Sequence, residues 1–203
     1  MPTEVDKQQR REHVIDAAFR VIARDGLCAT TMRAVAAEAG ATIGLINHWF
    51  DSREELIEAS FDRAIEIEMT RAAELAADDP SSYIDAASQF LPIDARRRDE
   101  VHVWMAFYAM VVTNPDYAER GRARCNAVRT TMLGGLRQYF PTGTCHDIID
   151  RCFVLVDGIA INAALDPKRW TRSRQLAVLR EGLEDALARR LNKSPTNEVP
   201  KEN

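Results

Sequence analysis

The chain has 203 residues, 46% of them apolar and 29% charged, with a net charge of −4 at pH 7. That balance is typical of a folded globular protein and argues against disordered, collagen-like and membrane classes; the length suits one large domain or a small one plus a larger one. The mild acidity argues against a surface coated with nucleic acid but leaves room for a local DNA site.

Met1 through Arg11 is polar and lacks the apolar stretch of a secretory leader, and the longest apolar runs are interrupted by Asp157 or end at Asn114-Pro115. A cytoplasmic protein with no membrane contact is expected. Cys28, Cys125, Cys145 and Cys152 form no CxxC pair and read as reduced thiols, with no metal site and no cofactor expected.

The apolar periodicity is helical throughout, without strand-like alternation, so the fold class is all-α with about nine helices. A first helix is expected over 8–25, with Val14, Ile15, Ala18, Phe19 and Ile22 on one stripe and Gly26 ending it. A short helix follows, capped by Thr30 or Thr31, with Met32, Val35, Ala36 and Ala39 inward and Gly40 as its stop. A second short helix starts at Thr42, and Ser52 and Glu55 stand at capping-box spacing at the head of a long helix over 52–77. Asp78-Asp79-Pro80 breaks the pattern before a helix over 82–91. Pro92-Ile93-Asp94 opens the next, and Asn114-Pro115-Asp116 opens an Arg-rich helix reaching 139 or 140. Two apolar helices, over 144–165 and 173–191, are separated by Asp166-Pro167. From 192 onward there is no periodicity, which reads as a solvated tail. The expected domains are a head over 1–51, a body over 52–192 and a disordered tail over 193–203.

Thr31 to Phe50 carries the informative pattern. Ala36 is small enough for two helices to cross closely, and Gly40 supplies the turn of a helix-turn-helix. Ile46 and Trp49, three apart, dock the second short helix and leave Thr42, Ile43, Gly44, Asn47 and His48 facing outward. Such an end can enter a major groove: Thr, Asn and His bond base edges or phosphates, Ile43 or Leu45 touches thymine methyls, and Gly44 permits close approach. Thr31, Arg33 and Arg53 flank it as phosphate contacts.

These residues, Thr31-Met-Arg-Ala-Val-Ala-Ala-Glu-Ala-Gly40 and Gly44-Leu-Ile-Asn-His-Trp-Phe50-x-x-Arg53-x-x-Leu56, resemble the TetR family of transcriptional regulators. The ending Ile46-Asn47-His48-Trp49-Phe50 is closest to the BetI-like branch. So are Leu91-Pro-x-Asp94, the Arg run 96–98, Trp104-x-Ala-Phe107, Val156-Asp-Gly158 and Ala163-Ala-Leu-Asp-Pro167. The resemblance implies a repressor that binds a palindromic double-stranded operator as a homodimer through its last two helices. It also implies release by a small-molecule effector held in the helical body, of a choline-like cationic kind in that branch. Trp49 departs from the family's His or Tyr, which puts its phosphate contact in question. Asn47 replaces Tyr or Ser, which implies a different operator, and Arg53 replaces Lys, which keeps the charge with a different geometry.

In the body, Trp104, Phe107 and Tyr108 fall at i, i+3 and i+4 and share one face. With Phe90, Met110, Phe140 and Phe153 they form either core or the wall of a ligand pocket. Asp157, among Leu155, Val156, Ile159 and Ile161, needs a partner. Either it is the counter-ion of a cationic ligand or it is paired across a dimer seam. The last two helices carry Ile148, Ile149, Phe153, Val156, Ile159, Ala160, Leu176, Leu179, Leu183, Ala186 and Leu187. That is more than one internal stripe requires, so a four-helix dimer bundle is expected to bury the excess. The four histidines lie on separate helices and no catalytic motif is present, so no enzyme and no catalytic residue is expected. The alternative is a helical protein-interaction or small-molecule-binding module without DNA binding.

Overall fold

The structure is a computed structural model that describes residues 4–75 and 82–191. The expected break at 78–80 and the tail over 193–203 lie outside the described residues. Within them the chain forms nine α-helices and no strand: α1 (Glu4–Ala29), α2 (Met32–Glu38), α3 (Ile43–Trp49), α4 (Arg53–Leu75), α5 (Ser82–Ala87), α6 (Ala95–Thr113), α7 (Pro115–Leu136), α8 (Thr142–Leu165) and α9 (Arg172–Leu191).

The helix ends follow from local chemistry. Gly26 at φ 78° kinks α1 near its end, and Thr30 donates back to the Gly26 carbonyl at 2.9 Å. Thr31 caps α2 by accepting from the Ala34 amide, and Thr42 caps α3 by accepting from the Leu45 amide. Gly40, at φ 60°, closes α2 in a Schellman motif, with the Ala41 amide donating to Ala36 O and the Gly40 amide to Ala37 O. At α4, Ser52 accepts from the Glu55 amide, while the Glu55 carboxylate reaches the amide of Asp51. Asp94 and Asn114 cap α6 and α7.

α1 spans Glu4–Ala29 rather than 8–25, with Gly26 as a kink inside it rather than its end, and two further boundaries differ from expectation. The helix expected over 82–91 tightens into a 3₁₀ turn at Ser88–Phe90. There the Ser88 hydroxyl and the Gln89 amide nitrogen both take the Asp85 carbonyl, drawing it from the α-helical ladder. α7 ends at Leu136, just after Gly134 and Gly135, which weaken its last turn.

Two buried clusters form the core. One joins Val14, Ala18 and Val21 of α1 to Val35, Ala36, Ile46, Phe50 and Leu56. The other runs from Ile22 and Ile57 through Phe61, Trp104 and Phe107 to Ile149, Val156, Leu179 and Leu183. α1 and α4 contribute to both, so the head and the body share two helices across their boundary. His102 on α6 adds a tie, its Nδ1 lying 3.0 Å from the Ala23 carbonyl of α1.

Candidate nucleic-acid interface and ligand cavity

α3 is held by its buried side, where Ile46 is 0% exposed, and Thr42, Ile43, Gly44, Asn47 and His48 all stand in solvent. Leu45 is half-buried beside His13 and Val14 of α1. Trp49 is half-buried, its ring 5.9 Å from that of His48. Thr31 and Arg33 are exposed on the flank. Arg20 and Arg24 of α1 both bond Glu38, at 2.8 and 2.9 Å, and lock α2 against α1.

Arg53 is placed differently from its expected role. It is half-buried, and its Nη2 donates to the Leu27 carbonyl at 2.7 Å, while its Nε is buried without a partner. The side chain braces the first turn of α4 against the end of α1 by sharing the Leu27 carbonyl with the Thr30 amide.

The body encloses a cavity of about 40 Å³ between α4, α6, α7 and α8. Of the six residues expected at a ligand, Phe90, Trp104, Tyr108, Phe153 and Asp157 line it. Phe107 does not. It is 1% exposed and stacks on Phe61 at 3.9 Å between centroids, one layer behind the wall. Met110 and Phe140 are likewise core residues away from the cavity. The wall is completed by residues not expected at a ligand, chiefly Phe61 and Ile65 of α4 and Cys125, Val128 and Met132 of α7.

Asp157 has no hydrogen bond or ion pair among the described residues. Burial pushes its carboxyl up to about 6, against the pull of Arg129. That guanidinium is itself bonded to Asp150 and lies 4.3 Å over the Phe153 ring. Burial, together with the Asp157 charge, also holds the Tyr108 phenol above its ordinary range. The cavity is thus an aromatic and aliphatic box with one uncompensated acid.

Behind Trp104 lies a polar cluster that the sequence reading missed. The Trp104 indole donates to Glu68 at 3.1 Å, and Arg71 forks onto Glu100 at 2.7 and 2.6 Å. Burial, and then the Glu100 charge, drive the Glu68 carboxyl well above the usual range. Glu58, also buried, meets Arg124 at 3.1 Å and Arg120 at 3.4 Å from α7. The signal was present: Glu68 falls on the α4 stripe of Ile57, Phe61, Ala64 and Ala72, where an acid is as conspicuous as Asp157 on α8.

A three-helix head presenting the amino end of a short, well-docked third helix, continuous with a helical body around a cavity, defines a helix-turn-helix DNA-binding regulator. Family models described as "Bacterial regulatory proteins, tetR family" and "BetI-type transcriptional repressor, C-terminal" match residues 14–60 and 85–188, so the chain belongs to the TetR family and carries a BetI-type C-terminal domain. It is similar to the transcriptional regulator BetI of Rhizobium meliloti, at 29% identity over 81% of this chain and 83% of that one. A solved regulator from Rhodococcus sp. Rha1 matches with a TM-score of 0.74 at 27% identity, covering 87% of this chain and 95% of that one. Another from Saccharomonospora viridis, described in complex with choline, matches with a TM-score of 0.71 at 21% identity, covering 87% and 96%. Among the described residues no helix is long and apolar enough to cross a membrane.

Proposed function

We propose that this regulator is a cytoplasmic repressor that grips a palindromic operator as a homodimer and releases it when an organic cation enters the aromatic cavity. The reading divides the chain into a DNA-reading head over 1–51 and a ligand-binding, dimerising body over 52–192. The exposed amino end of α3 carries it. Thr42, Ile43, Gly44, Asn47 and His48 are solvent-facing on a helix fixed by Ile46 and capped at Thr42, which is the presentation that base-edge readout requires. Thr31 and Arg33 meet phosphates; Leu45 and Trp49 act from the rim of that face. Arg53 acts at one remove, keeping α3 in position through its bond to Leu27.

For the effector, the supporting observation is Asp157, an acid without a donor among Trp104, Tyr108 and Phe153. A quaternary or protonated amine satisfies both the charge and the aromatic faces, and choline, which the Saccharomonospora viridis relative binds, is the first probe. The cavity of about 40 Å³ is room for a few waters at most. A cation therefore enters by separating α7 and α8 from α4, and α4 leads directly to the head.

The test is selection of bound duplexes from a random pool, followed by fluorescence anisotropy on the recovered site. The expected site is a palindrome with half-sites about 34–36 Å apart or slightly more, bound with a steep salt dependence. Asn47→Ala changes the preferred bases, whereas Arg33→Ala weakens every sequence alike. Recovery of no consensus, with shallow salt dependence, would instead identify a helical interaction module.

A further inference from the structure

A second cleft lies apart from the aromatic cavity, between the start of α6, the end of α8 and the start of α9. It measures about 120 Å³. Its floor includes Gln175, on the first turn of α9 and 3% exposed. The Gln175 side-chain nitrogen donates to the Trp170 carbonyl at 2.8 Å. A carbonyl can only accept, so the amide has one allowed orientation, and its oxygen Oε1 is left buried with no donor. Native proteins rarely leave a buried acceptor unmet, because its lost hydration is not recovered.

The rim of the same cleft carries two cations. Arg98 and Arg172 are exposed lining residues, as is His102, and none of the lining residues is a carboxylate. α9, 20 residues long, begins here, so the dipole of a long helix adds positive potential. Pro92, Val101 and Ala163 supply apolar wall between floor and rim. The cleft therefore asks for three things at once: an anionic head, a short hydrocarbon stem and a hydrogen-bond donor.

We propose that this cleft is a second ligand site, for a small organic acid that carries a hydroxyl or amide N–H a few atoms from its carboxylate. The carboxylate sits between Arg98 and Arg172, and the donor meets Gln175 Oε1. His102 also bonds the Ala23 carbonyl of α1 at 3.0 Å, so the site lies on the seam between head and body. The proposal is independent of the cation reading and of DNA binding.

The test compares 3-hydroxybutyrate with butyrate on the full chain by ligand-detected NMR at low salt. The hydroxy acid is expected to bind about tenfold more tightly, the worth of one buried hydrogen bond. Arg98→Ala with Arg172→Ala, both at exposed positions, weakens both acids by about tenfold or more, and Gln175→Leu removes the preference between them. Gln175 is buried, so its side-chain amide resonances in the wild-type chain provide a second readout that needs no variant: they shift with 3-hydroxybutyrate and not with butyrate. Equal affinity of the two acids for the wild type, or undiminished binding in the double arginine variant, overturns the proposal.

Discussion

A carboxylate held among Trp104, Tyr108 and Phe153 with no donor of its own is destabilising when ionised. With the Asp157 carboxyl at about 6 in the fold against 3.8 as its ordinary value, the native state binds more protons than the unfolded chain between those limits. Stability therefore falls as pH rises through that window. Asp157→Asn is expected to be the more stable protein at pH 7.5, by ~1–2 kcal/mol after allowance for partial solvent screening. The difference should close on acidification to pH 4 in thermal melts. A bound cation reverses the sign, because it favours the ionised form. Choline affinity is thus expected to fall about tenfold per unit below pH 6. In Asp157→Asn it is weak and flat with pH, and a calorimetric series from pH 5 to 8 separates the two profiles. Identical profiles for wild type and variant would remove Asp157 from the ligand site.

At the scale of helices, α4 and α7 carry the mechanical argument. α7 contributes Cys125, Val128 and Met132 to the cavity wall, and one residue before Cys125 stands Arg124, bonded to Glu58 at 3.1 Å and to Asp62 at 2.8 Å on α4. α4 in turn is braced to the head by Arg53 at Leu27 and by Arg63 at Asp16, 3.4 Å away. Displacing α7 therefore drags α4. Arg124→Ala is expected to leave choline affinity within about threefold, while shrinking the choline-induced loss of DNA affinity by about tenfold, within the range of ordinary coupling energies. Titrations of ligand and of DNA, each with and without the other, measure both terms. The helix ends in this framework were legible because caps are local: Thr31, Thr42, Ser52, Asp94 and Asn114 announce themselves by residue type and spacing. The acids within α4 were not read, because Glu58 and Glu68 resemble solvated charges until their stripe is compared with Phe61 and Ala64. The tie of Arg53 to α1 was not read for a related reason. Its charge was visible in the sequence, but its bond to the Leu27 carbonyl depends on how the end of α1 meets α4, which only the fold reveals.

For the whole molecule, the apolar excess of the last two helices was noticed, but most of it belongs inside one protomer. Ile148, Ile149, Val156, Ile159, Ala160, Leu179, Leu183 and Leu187 are all buried in the single chain, and Phe153 lines the cavity. Periodicity counts apolar positions but cannot say which face meets which neighbour. What remains outside is a narrower stripe on α8: Val154 at 73%, Ile161 at 49% and Leu165 at 80% exposure, on one side of the helix at i, i+7 and i+11. Under the proposed dimer this stripe is the seam, packed against its own copy across a twofold axis. A charge placed there loses its hydration on association without gaining a partner. Ile161→Arg is accordingly expected to sediment as a monomer at micromolar concentration. Its melting as a fold should change little, since the side chain is already in solvent within the protomer. Its operator affinity should fall by about 10²–10⁴, because two heads joined in one particle bind the second half-site at high effective concentration and separate heads do not. A dimer retained in Ile161→Arg, with full operator affinity, would move the seam elsewhere and leave the α8 stripe without a role in assembly.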